Sequence, residues 1–151
     1  MKHGFAALTL FGAAAATPLA SPTPASAADG IHRLALQISD NDPDKMTSVL
    51  NIAANVSRHY SDLGEEVEIR VVAFSAGLHM LRADTTPVAD RMKSFAQSMP
   101  NVTFAACGNT IDAMSKTEGR DVPLLDDVEI VPAGVVTLME LDEAGFTIVR
   151  P

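Results

Sequence analysis

The chain has 151 residues, 47% apolar, 20% charged and 5% aromatic, with one Cys and no Trp. That length fits one domain with one core, and the composition excludes disorder, collagen-like repeats and coiled coil. A lone Cys excludes an internal disulfide framework and multi-Cys zinc or iron–sulfur sites. The net charge of −8 argues against nucleic acid and anionic membrane surfaces, which are bound through clustered Lys and Arg.

The first residues read as a leader rather than as fold. Met1-Lys2-His3 is a short basic start, Phe5 to Ala16 is an Ala-rich apolar run, and a Pro/Ser/Thr-rich stretch ends in Ala25-Ser26-Ala27. This is the layout of a secretory signal peptide over residues 1–27, cut after Ala27, with a domain over 28–151. The apolar run is shorter than the roughly twenty residues a spanning helix needs. With no Cys near the cleavage site, lipid anchoring is disfavoured. The expected product is periplasmic or secreted, with no membrane insertion once the leader is removed.

Beyond the leader, short apolar runs alternate with segments of helical period. His32 to Ser39 reads as a strand buried on both faces. Asp42-Pro43 supplies an N-cap and a proline at the first helical position. Met46, Val49, Leu50, Ala53, Val56, Tyr60 and Leu63 then recur at three- and four-residue spacing up to Gly64, a C′ glycine. Glu66 to Phe74 is a second strand, and Ser75 to Asp84 a turn with a short helix. Thr86-Pro87 opens a helix with Val88, Met92, Phe95 and Met99 on one face. Val102 to Ala106 is a third strand, followed by a helix capped by Asn109 and running to Glu118. Val128 to Val131, Gly134 to Ala144 and Phe146 to Val149 give strand, helix and strand. This alternation predicts one α/β domain: a three-layer α/β/α sandwich with a mainly parallel sheet of about five strands.

In such sheets, sites form where the strand-to-helix loops converge at the carboxyl ends. Three loops are informative: Asp40-Asn41-Asp42, Ser75-Ala76-Gly77 and Cys107-Gly108-Asn109-Thr110. The last places the only Cys where a helix opens, and unpaired N–H groups with half a positive charge stabilise a thiolate there. Against that stands the usual fate of a lone Cys, packed as a small hydrophobe. Gly108 is expected to permit a tight turn and close approach of a partner sulfur, and Asn109 to cap the helix and face an anion. His79 would support the thiolate if its loop folds over the site. His32, His59 and His79 lack the paired spacing of a metal site. Ser75 lacks the Gly-x-Ser-x-Gly setting of a hydrolase nucleophile. The methionines at 46, 80, 92, 99, 114 and 139 fit core faces. Leu78, Met80 and Leu81 read as a small exposed patch suited to subunit contact.

The segments VVAFSAGLHML, VTFAACGNTIDAM and VEIVPAGVVTLMELDEAGFTIVRP together resemble the DsrE/DsrF-like sulfur-relay family, over essentially all of residues 31–151. The likeness is most specific at Ala106-Cys107-Gly108-Asn109-Thr110 and at Val131-Pro132-Ala133-Gly134-Val135. It implies a three-layer α/β protein assembled as a homo-oligomer, commonly a trimer or hexamer. It also implies a Cys that accepts sulfane sulfur as a persulfide and passes it to a partner thiol. By motif position that residue is Cys107, flanked by Asn41, Ser75, Gly77, Gly108, Asn109 and Thr110 on the strand-end loops. Several family members carry His-Gly after the second strand, where this chain has Phe74-Ser75. Thiolate attack and release are both exchange steps, so no cofactor and no metal is expected. The expected partners are sulfur donor and acceptor thiol proteins. The other reading from the residues is a non-catalytic module, holding a small anion or an oligomer interface, with Cys107 packed and unreactive.

Overall fold

The computed structural model describes residues 30–151. The leader read over residues 1–27 lies outside the described residues. Five strands form one all-parallel sheet: β1 (Ile31–Ile38), β2 (Glu66–Ala73), β3 (Val102–Cys107), β4 (Val128–Val131) and β5 (Thr147–Val149), ordered β4-β3-β2-β1-β5. Four α-helices connect them: α1 (Pro43–Leu63), α2 (Ala89–Ser98), α3 (Gly108–Glu118) and α4 (Gly134–Glu143), with a 3₁₀ helix at Ser75–Leu81. The α/β/α expectation holds.

The distribution of helices follows from the strand order. From β1 to β4 the chain steps across the sheet in one direction, then returns past β1 to place β5. Parallel crossovers are right-handed, so reversing the direction of travel moves the connecting helix to the other face. α1, α2 and α3 accordingly pack on one face and α4 alone on the other. Strand residues sort the same way. Leu34, Leu36, Ile38, Ile69, Val71, Phe104 and Ala106 meet Met46, Val49, Leu50, Met92 and Phe95 in the larger core. The smaller Ala35, Val72 and Ala105 meet Leu138 and Phe146 beneath α4.

Caps mark the ends that the residues announce. Asp42 Oδ1 accepts from the Asp44 N–H at 2.9 Å, Pro43 is the first residue of α1, and Gly64 closes it in the left-handed region at φ 71°. Gly119 ends α3 in the same way at φ 66°.

Several expectations are corrected. α2 begins at Ala89 rather than at Thr86-Pro87, because the Thr86 hydroxyl accepts from the Val88 N–H and holds a turn there. Leu78, Met80 and Leu81 are fully buried in the larger core, so they offer no subunit patch. Met139 is exposed rather than packed, together with Ile130, Val135 and Val136. Among the described residues, no helix is long and apolar enough to cross a membrane.

Candidate functional site

β3 and β4 lie side by side, with Cys107 registered against Val131 at their carboxyl ends. From there the chain leaves β3 into α3 on one face and β4 into α4 on the other. Adjacent strands whose connections depart to opposite faces leave a crevice, the usual ligand position in open α/β sheets. Cys107 stands at that point, as the last residue of β3 and the N-cap of α3.

Two glycines let the elements close on it. A Cβ on Gly134 would lie 3.3 Å from the Cys107 Cβ and 3.0 Å from the Phe74 Cβ. A Cβ on Gly108 would lie 3.1 Å from the Val131 carbonyl oxygen. Gly108 therefore serves the approach of α3 to the β4 exit, a packing role where a tight turn was expected. The Asn109 N–H donates to the Pro132 carbonyl at 3.3 Å and ties the two exits together.

The electrostatics of the sulfur combine opposing effects. Burial pushes the Cys107 thiol up. Hydrogen bonds from the Thr110 hydroxyl and from the N–H groups of Gly134, Thr110 and Asn109 favour the thiolate and outweigh burial, leaving the thiol below its ordinary range. The donors thus come from the first turns of both α3 and α4. The Thr110 hydroxyl in turn accepts from the Ser75 N–H at 3.0 Å. Ser75 sits in the left-handed region at φ 50°, uncommon for a non-glycine residue. Cys107 is only 6% exposed.

The structure thus gathers Cys107, Gly108, Asn109, Thr110 and Ser75 into one group. Asn109 is not the cap: it lies inside the first turn of α3, exposed, while Cys107 occupies the cap position. Asn41 stands apart in the β1–α1 turn, beside Asp40, which accepts from Lys45 Nζ at 2.8 Å and Arg150 Nη2 at 3.3 Å. Gly77 is buried, and a Cβ there would lie 2.3 Å from the Ile38 carbonyl oxygen. It is a packing residue and presents nothing to a ligand. His79 pairs through Nδ1 with the Thr85 hydroxyl at 2.8 Å, so it does not serve as the thiolate's supporting base. Among the described residues, no group of three His, Cys, Asp or Glu side chains can hold a metal ion.

Three participants escaped sequence reasoning. Gly134 packs against both Phe74 and Cys107, and it lay within a segment singled out only for its likeness. The third is Arg82, 1% exposed. Its guanidinium donates to both oxygens of Asp84 at 2.9 Å and to Glu118, with Nη2–Oε2 at 3.0 Å. Arg120 completes the cluster at 2.8 Å from Asp84 and 3.0 Å from Glu118. An Arg directly after the apolar Leu78 to Leu81 stretch was the available signal, since a buried cation must be paired.

No protein-family model matches the chain, and no curated protein matches it. Among solved structures, it is similar to MTH1491 from Methanobacterium thermoautotrophicum, a protein of unknown function. The two are 31% identical, the match covers 80% of this chain and 99% of that one, and the TM-score is 0.63. The chain belongs to the same family as MTH1491. That kinship carries the α/β fold and no activity, because the relative's own function is unknown.

Proposed function

We propose that the protein is a periplasmic sulfur carrier of the DsrE/DsrF-like kind, holding sulfane sulfur as a persulfide on Cys107. The observation that carries this reading is the position of Cys107, last in β3 and N-cap of α3, with Gly134 at the start of α4 packed against its Cβ. The Cys107 thiolate attacks the outer sulfur of a donor persulfide. A new S–S bond forms at Cys107, the donor's S–S bond breaks, and the donor thiolate leaves. An acceptor thiolate then attacks the outer sulfur of Cys107-S-S⁻, and Cys107 departs as a thiolate again. Sulfane sulfur changes hands with no net redox change, and the same N–H donors that stabilise the thiolate stabilise the persulfide anion.

Export through a leader cut after Ala27 and assembly as a homo-oligomer belong to the same proposal. Assembly draws support from the exposed apolar side chains Ile130, Val135, Val136 and Met139 on β4 and α4.

One observation favours a second reading, an anion-binding or assembly module with an inert Cys107: the residue is buried. A mass measurement separates the two. Incubation with polysulfide should add about 32 Da, one sulfur atom, at Cys107, reversibly with dithiothreitol. Cys107→Ser should abolish the adduct and keep the fold. A native thiol that takes up neither sulfur nor iodoacetamide up to about pH 9 overturns the carrier reading.

A further inference from the structure

We propose that the outer face of α4 docks another protein, one that meets it with apolar side chains set beside Lys or Arg. α4 buries Gly134, Thr137 and Leu138. On its other face Val135, Val136 and Met139 are 54%, 51% and 60% exposed. Their spacing of three and four residues makes Met139 a surface neighbour of both valines. Among the described residues, the other large apolar side chains so exposed are Ile130, on β4 just before this helix, and Leu63. Single exposed apolar residues are ordinary, whereas a cluster on one helix face marks a contact surface.

Charge sets the class of partner. Glu140, Asp142 and Glu143 occupy the carboxyl-terminal part of α4, and all three are exposed. Among the described residues, none of them has an ion-pair partner. α4 holds no Lys or Arg, and the chain has no Lys, Arg or His from Asp121 to Val149. The carboxyl end of a helix carries partial negative charge and favours cations, so three carboxylates there act against the helix's own stability. α3, by contrast, has Lys116 in its last turn.

Glu140 stands four residues beyond Val136, and Asp142 and Glu143 stand three and four beyond Met139. Apolar and acidic side chains therefore follow one another along the exposed face. An apolar centre with a polar rim is the anatomy of a protein–protein contact, and an acidic rim selects a basic partner. Two copies joined at this face would set six carboxylates together, so the occupant is a different chain. That leaves Ile130, at the β4 edge, as the apolar residue for contact between like chains. α4 opens at Gly134, which packs against the Cys107 Cβ, so a chain docked here is held on the element beside the thiol. The docking itself requires no sulfur chemistry.

Fluorescence anisotropy of the full chain with a labelled amphipathic helical peptide of Leu and Lys tests this. Saturable binding that weakens in high salt is expected. Glu140→Gln, Asp142→Asn and Glu143→Gln together should weaken it roughly tenfold or more, and Val136→Ser with Met139→Ser should do the same. The control Asp62→Asn, Glu66→Gln, Asp121→Asn removes equal charge from exposed positions elsewhere and should leave binding within about twofold. Absence of saturable binding overturns the proposal, as does an equal loss in the control, which would mean attraction to general acidity. The α4 carboxylate variant should also keep or raise the urea midpoint; a fall would show that these groups serve the fold, and overturns the proposal. Native oligomers that fall to monomers in Val136→Ser, Met139→Ser by light scattering would place a second copy on this face, with the same consequence. Peptide binding by a chain whose Cys107 takes up no sulfur would refute the carrier reading and leave the docking surface standing.

Discussion

At the scale of single residues, the sulfur of Cys107 is set by a competition that its neighbours win. Thr110 matters most among them, because its hydroxyl accepts from Ser75 and has its own proton left to give to the sulfur. Thr110→Val removes a donor to the charged form, so the thiol pKa should rise and the half-point of alkylation against pH should move upward. Thr110→Ser should restore it. A profile unmoved by Thr110→Val would show that the backbone N–H groups suffice. Asn109→Ala should change stability by no more than about 0.5 kcal/mol, since that side chain is exposed and caps nothing. A loss of about 1 kcal/mol or more in denaturant melts, the usual loss at a cap, would reinstate Asn109 as the cap. The position of Cys107 was legible because an apolar strand runs straight into Gly108-Asn109-Thr110. The contribution of Gly134 was not, and neither was the bond from Ser75 to Thr110, although Ser75 itself was placed on a loop beside the site. Ser75 lies 35 residues from Thr110 along the chain, and no local pattern records that meeting.

Among the helices, α1 was read to its ends from its own caps, whereas the short helix after β2 was found but its burial was not. Asp42, Pro43 and Gly64 mark α1 from within a few residues, and the structure uses all three. Asp42→Ala should cost about 1 kcal/mol, the usual value of an N-cap, as a fall in the urea midpoint. The 3₁₀ helix is the opposite case. Its Leu78, Met80 and Leu81 look available for a partner in the sequence, yet all are buried, because Gly77 lets the turn press against β1. Gly77→Ala places a methyl within 2.3 Å of the Ile38 carbonyl oxygen, a backbone atom that cannot swing aside. The expected loss is about 1–3 kcal/mol, as for other overpacked sites, and the test is a denaturant melt. A neutral Gly77→Ala would mean that the 3₁₀ segment shifts at little cost.

For the molecule as a whole, strand order decides where the site can be. One reversal in the direction of travel sends α4 to the face opposite α3 and puts Cys107 where the two helices leave the sheet. Alternating strands and helices made the class legible, but the position of β5 beyond β1 was not. A sequence records which segments are strands without recording which edge each one joins. Similarly, net acidity was plain from composition, whereas the pairing of Arg82 with acidic groups on two segments required the fold.

That pairing gives the molecule a defined acid sensitivity. Arg82 holds the carboxyls of Asp84 and Glu118 below the usual carboxylate range, and Lys45 does the same for Asp40. A carboxylate whose pKa is lower folded than unfolded adds stability above its unfolded value, near about 4. That contribution drains away as pH falls through the folded value. Stability against urea should therefore be flat in these groups from pH 7 to about pH 5, then drop steeply in more acid solution. Protonation there leaves the buried Arg82 guanidinium without its counter-charges. In the double variant Asp84→Asn, Glu118→Gln, stability at pH 7 should be lower and the acid drop shallower, because the two proton-linked groups are gone. Urea midpoints for both proteins across pH 7 to 2.5 make the comparison. An acid drop of the same steepness in the variant would show that other carboxylates, and not this cluster, govern unfolding in acid.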